Sequence, residues 1–296
     1  MVLESIISPT GVKNNPKSAF TLGILYAAIA VILAYFIFPS DPSISIIFLT
    51  TLAALPLLIN ILTEEETESM EILKKKRKMP LIHTHKDVFL VFTYMFFGFL
   101  TCFLAVYIFL PENAVILFFS KQIQTIQSIL GPGGFATGNA VYSGAAISAE
   151  ESLKIIMVNN FKVLLFALLF SFLYGAGAIF ILAWNSSILA VAMGNLIKVK
   201  IATFGEVSGI KAISSYFKAG TMSVIRYMIH GLPEICAYFL GAIAGGVISA
   251  AVVKSDYRDP RFYEIILDSF DLIALASLLL IVAALLEVSV TPLLIR

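Results

Sequence analysis

The chain has 296 residues, of which 59% are apolar and only 13% charged, with a net charge of +1 and a mean hydropathy of +0.95. A soluble domain carries roughly 45–50% apolar and about 25% charged residues, so this composition excludes a water-soluble globular protein and implies an all-α, polytopic transmembrane helical bundle. Cys102 and Cys236 both fall inside apolar runs, where they read as small packing residues and not as a disulfide or a metal pair.

A spanning helix needs about 20 apolar residues. Residues 1–17 are mixed, and Lys13 and Lys17 precede an apolar run at 19–38 that is long enough to be a retained anchor and not a cleaved signal. A second run at 43–62 comes after Pro39-Ser40-Asp41-Pro42, so the two form a helical hairpin closed by a tight turn. Next comes TEEETESMEILKKKRK, in which Glu71 precedes Lys74 and Lys75 by three and four residues, the spacing of a solvated helical extension. The basic run Lys74–Lys78 reads as an ordinary charged connector, with no nucleic-acid role, and its value is topological. Basic loops stay in the cytoplasm, so residues 63–86 and the N-terminus are expected inside a cell membrane.

A third span is expected at 87–110, leaving 111–159 outside. There Val115, Phe119, Ile123, Ile126 and Leu130 recur at helical spacing, with Lys121, Gln122 and Gln124 on the other side, which suits a helix lying in the interface or capping the bundle. GPGGFATGNAVYSGAAIS reads as a surface loop. Ser148 with Glu151 forms a capping-box pattern that predicts a helix start near 149, and that helix is expected to run unbroken through the fourth span, 160–183, to Trp184. The apolar part of 185–200 is short, and a crossing there would bury Lys198 and Lys200, so a re-entrant half-helix is the expectation. Two further spans, 222–252 and 268–293, bring the expected total to about six. The half-helix would leave the 254–264 loop outside and Arg296 inside.

The stretch RYMIHGLPEICAYFLGAIAGG carries the chemistry. His230, Glu234, Ala237, Gly241, Gly245 and Ser249 occur at three- and four-residue steps and share one helix face. Glycines spaced as Gly241 and Gly245 are let a second backbone approach, and a carboxylate on that face points at protein and not at lipid. Gly231 and Pro233 lie between the two polar residues, and the proline removes a backbone bond, so a kink or a helix break is expected there. In the last span Ser277, Leu280, Ala284, Glu287 and Thr291 form a second stripe. Two facing glutamates repel if both ionise, so protonation, His230, Arg226 or a cation must relieve the pair. A hydrogen-bonded structural cluster and a site for protons or ions both satisfy this requirement.

No catalytic residue, cofactor or metal site is expected. His230 and Glu234 could offer two ligands, but His83 and His85 lie far off in the basic connector and no HExxH pattern, Walker loop, GxSxG elbow or dinucleotide fingerprint is present.

The run IMVNNFKVLLFALLFSFLYGAGAIFILAWNSSILAVAMGNL, the segment HGLPEICAYFLGAIAGG and the terminal LLEVSVTP together resemble the stage II sporulation protein M family over roughly residues 150–296. The resemblance marks Asn159, Asn160, Asn185, His230, Glu234 and Glu287 as family polar positions, although Ser186 stands where the family pattern has glycine. It implies a division into an N-terminal hairpin with its charged extension (1–78) and a family-like transmembrane domain (79–296). It also implies a scaffold that recruits cell-wall-degrading partners at a membrane. The expectation is a non-enzymatic scaffold or assembly protein in the lipid bilayer, with membrane or cell-surface protein partners and room for a homodimer. The alternative is an ion- or proton-coupled transporter or channel with Glu234 and Glu287 at a broken-helix site, and a membrane enzyme acting on lipid is a third class.

Overall fold

A computed structural model describes residues 9–74, 86–136, 149–174, 177–203, 210–254 and 260–291. The described residues form helices α1 (Pro9–Asn14), α2 (Ser18–Ile37), α3 (Pro42–Lys74), α4 (Lys86–Phe109), α5 (Glu112–Phe118), α6 (Ser120–Ala136), α7 (Ala149–Tyr174), α8 (Gly177–Thr203), α9 (Ile210–Lys254) and α10 (Pro260–Ser289), and no strand occurs among them. Seven of these, α2, α3, α4, α7, α8, α9 and α10, are long and apolar enough to cross a membrane. Their outward faces carry Phe36, Leu165, Phe166, Leu278 and Leu285, exposed side chains that suit lipid contact. The all-α polytopic bundle expected from composition is therefore what the chain forms.

The helices pack as two sets joined by α8. In the first, α2 lies on α3 and α4, and α4 packs along α8; in the second, α9 packs along both α10 and α7. Gly23 and Gly98 let α2 and α4 touch backbone to backbone: a Cβ at Gly23 would sit 2.7 Å from the Met95 carbonyl oxygen. Between the sets, Phe239 of α9 meets Phe89, Phe92 and Phe96 of α4 at ring distances of 5.8–6.2 Å. Such offset aromatic contacts add about 0.5–1.5 kcal/mol each beyond their buried area. The N-terminal hairpin thus shares one apolar core with the rest of the chain.

Several expectations from sequence hold in detail. The acidic stretch after the second span continues α3 to Lys74 as one helix, and α7 starts at Ala149 beside the capping box. The rest of the basic connector, including His83 and His85, the residues 137–148 and the loop at 255–259 lie outside the described residues.

Five expectations are corrected. The helix beginning at 149 ends at Tyr174, and a new helix, α8, runs from Gly177 to Thr203, so Trp184 lies within α8, stacked on Phe180. The stretch 185–200 is consequently no half-helix. The lysines that argued against a crossing are accommodated at one end of α8: Lys198 Nζ lies 4.9 Å from the Tyr107 ring centre and feels the Glu112 carboxylate. A cation held over an aromatic face with its apolar stem packed costs far less than an isolated buried charge. The outer helix is broken at Phe119, whose φ of −123° and ψ of 20° end α5. Gln122, expected on the polar side, is fully buried: it lies three residues after Phe119 and four before Ile126, both buried, and so on the apolar face itself. GPGG, expected in a loop, is the helical C-terminal end of α6. Finally, a kink or a break was expected at Gly231 and Pro233, and α9 runs through both as one helix without the break. Proline removes the bond to the Ile229 carbonyl, but contacts with α7, α8 and α10 hold the helix on both sides of it.

Candidate functional site: a polar cluster where three helices meet

Glu234 sits in the middle of α9, partly buried and facing α7. Asn160 of α7 donates from Nδ2 to Glu234 Oε1 at 2.5 Å. The Asn160 Oδ1 atom accepts from the Tyr238 hydroxyl at 3.1 Å and from Asn159 Nδ2 at 3.4 Å. Asn160 and Tyr238 are both buried. One amide therefore bridges two side chains a turn apart on the neighbouring helix, which fixes the register of α7 against α9. Buried polar groups without such partners are costly in a low-dielectric setting, so the satisfied network specifies this arrangement.

The register is reinforced one and two turns along. A Cβ at Gly245 would strike the Leu168 carbonyl oxygen, and one at Gly241 would strike Leu164 Cδ1. The glycine stripe of α9 thus packs on α7 inside the subunit.

On its other side α9 meets α10. His230 Nδ1 shares a 3.1 Å hydrogen bond with Thr291 Oγ1, two residues past the end of α10, and both residues are buried. Glu287, one turn before Thr291, is partly buried and lies within Coulomb reach of Glu234, Tyr227 and Tyr238. Tyr227 packs edge-on to His230 with ring centres 6.2 Å apart, and the Arg226 guanidinium lies 5.6 Å from the Tyr227 ring centre. The cluster therefore joins the middle of α9 to the middle of α7 and the end of α10.

His230, Glu234, Glu287, Thr291, Asn159 and Asn160 are thus brought together. Asn185 is not among them: its Nδ2 donates to the Ile181 carbonyl of its own helix at 2.8 Å. It does border a small crevice of about 10 Å³, room for about one water, whose lining is apolar apart from Asn185 and Tyr238. Tyr238 and Tyr227 are the participants that sequence spacing missed. Tyr238 lies four residues beyond Glu234, so the helical step that collected the stripe could have found it, but a tyrosine among apolar residues gives no polar signal of its own. Among the described residues no group of three or more His, Cys, Asp or Glu side chains is placed to hold a metal ion.

No curated protein and no solved structure matches this chain. Residues 88–292 do match a family described as Stage II sporulation protein M, a span that takes in α4 to α10 and every residue of the cluster and leaves out the α2–α3 hairpin. The chain belongs to the stage II sporulation protein M family.

Proposed function

We propose that the protein is a non-enzymatic membrane scaffold or assembly factor, in which the Glu234 cluster is the polar clamp that holds α7, α9 and α10 in one fixed arrangement. The observation that carries this reading is the Asn160 amide, which uses both its donor and its acceptor to tie Glu234 and Tyr238. Interhelical hydrogen bonds of this kind specify register within the membrane. The Gln variant of Glu234 keeps an oxygen for Asn160, whereas Leu removes it. A clamp therefore predicts that Glu234→Gln changes unfolding stability in detergent by less than about 1 kcal/mol, and that Glu234→Leu costs about 2–3 kcal/mol. Equal damage from the two variants would show that the charge matters and not the bond, and would sink the clamp.

One observation favours the second reading, an ion- or proton-coupled carrier. Pro233 leaves the Ile229 carbonyl without its helical donor, next to His230 and one turn from Glu234. A freed carbonyl near two carboxyls is a set of oxygens that cations use in transporters.

The same proposal includes a cell membrane location with the N-terminus in the cytoplasm. Seven crossings put Lys13, Lys17, Lys74–Lys78, Lys86, Lys254, Arg258 and Arg261 on the N-terminal side. The opposite side receives the smaller set of Lys121, Lys154, Lys198, Lys200, Lys211, Lys218 and Arg296. The larger set, including the 254–264 loop, thus lies on the N-terminal side, which the positive-inside rule assigns to the cytoplasm. Protein partners would meet the opposite face, where α5 and α6 lie. A homodimer would have to use faces other than the Gly241 and Gly245 stripe, which α7 occupies.

A further inference from the structure

We infer that Ser43 and Gln122 form a latch through which the N-terminal hairpin holds the outer helix α6 in place, and that α6 can leave the bundle as a unit when the latch opens. The first N–H groups of a helix have no partner within it. At the start of α6 the Lys121 N–H donates to Ser43 Oγ at 3.0 Å, so the cap of this helix comes from α3, 78 residues earlier in the chain. Ser43 Oγ in turn donates to Gln122 Oε1 at 2.8 Å. The Gln122 amide donates to Ser187 Oγ of α8 at 3.2 Å and to the Ser43 carbonyl at 3.4 Å. This is a reciprocal capping arrangement made between helices.

Ser43, Gln122 and Ser187 are each 0% exposed. A buried polar set is stable when every member is satisfied and expensive when one is not, so it closes or opens as a whole. Among the described side chains of α6, Ile126 is buried and Ile123 is only partly so. Its far end is Gly131-Pro132-Gly133-Gly134, and glycine costs a helix about 1 kcal/mol per residue and proline about 3. The helix is thus held at its capped end and weak at its other end. Ser43 lies in the hairpin, outside the family-matched residues 88–292, whereas Gln122 and Ser187 lie inside them. The hairpin thereby controls the position of an element that belongs to the family region.

Hydrogen exchange of the full-length protein in nanodiscs, read by mass spectrometry over residues 120–128, tests the latch. In the unaltered chain these amides should exchange through an opening that leaves α4 and α9 protected. Exchange of α6 only together with α4 and α9 would overturn the proposal, with no variant required. Ser43→Ala should speed exchange across 121–125 about tenfold, the effect of losing one cap, while α4, α7 and α9 keep their protection. Ser43→Thr, which keeps the hydroxyl, should restore the slow rate. No change in Ser43→Ala, or acceleration shared by all helices, would refute a latch local to α6.

Discussion

Replacing Asn160 with alanine removes the amide that serves both Glu234 and Tyr238, so its effect should exceed that of any single bond in the cluster. The variant loses the 2.5 Å bond to Glu234 and the 3.1 Å bond from Tyr238 and leaves both partners bare among apolar neighbours. An unsatisfied buried polar group costs about 1–3 kcal/mol. Two such groups put the cost of Asn160→Ala at about 2–6 kcal/mol. Tyr238→Phe removes only one hydroxyl and leaves Asn160 Oδ1 with its bond from Asn159, so it should cost about 0.5–1.5 kcal/mol. Once Asn160 is gone, the tyrosine hydroxyl has nothing left to donate to at that site. The double variant should therefore fall short of the sum by about 0.6 kcal/mol and at most about 1.7, the average and the maximum measured for hydrogen bonds between membrane helices. Equilibrium unfolding of the four proteins in a graded denaturing detergent measures this coupling. Additivity within about 0.3 kcal/mol would mean that the bond carries no energy and that the clamp reasoning fails.

The glycines of α9 predict an order. Gly245→Ala should be the most damaging, because the new methyl meets the Leu168 carbonyl and the Ser171 Cβ at 3.0 Å; Gly241→Ala should be milder, because Leu164 can rotate away. Gly246→Ala meets nothing within 4 Å and should stabilise the helix by up to about 1 kcal/mol. Thermal unfolding in detergent checks the ranking, and a Gly246 variant as damaged as the Gly245 one would refute it. Ser171 Oγ is buried with no hydrogen-bond partner, so Ser171→Ala should be neutral or stabilising by about 1 kcal/mol. A loss of more than about 1 kcal/mol in the same assay would mean that the hydroxyl has a partner after all.

The parts of the fold legible in the sequence are those in which a long apolar run has polar ends. The hairpin and the third span are of this kind, and the structure places them within a residue of the expected bounds, whereas the last span, expected at 268–293, runs from Phe262 to Ser289. The region 149–203 is harder to read, because Gly175-Ala176 is too small a signal against an apolar stretch that continues on both sides, and because the charge of Lys198 argues against a crossing until its neighbours are known. Tyr107 and Glu112 lie some 90 residues earlier, so only the tertiary fold brings them to Lys198. Gln122 escapes for a different reason: its polar side chain suggests an outer face, although its steps of three from Phe119 and four to Ile126 put it on the buried one. In the polar cluster, spacing collects His230, Glu234 and Gly241 into one stripe of α9, but it does not say that Glu234 and Gly241 meet Asn160 and Leu164 of α7 while His230 turns to Thr291, just past α10. Pairing between helices depends on which faces meet, and no repeat within one helix encodes it.

As a clamp, the Glu234 carboxyl holds α9 to α7, and neither it nor Glu287 carries ions across. Purified protein reconstituted into liposomes, with a proton, sodium or potassium gradient imposed and flux monitored by a trapped indicator, tests it most directly. The account predicts flux no greater than that of empty liposomes, with Glu234→Gln behaving as the unaltered protein does. Flux above that background that disappears in Glu234→Gln, while the variant remains folded, would contradict it and make the cluster a conduction site.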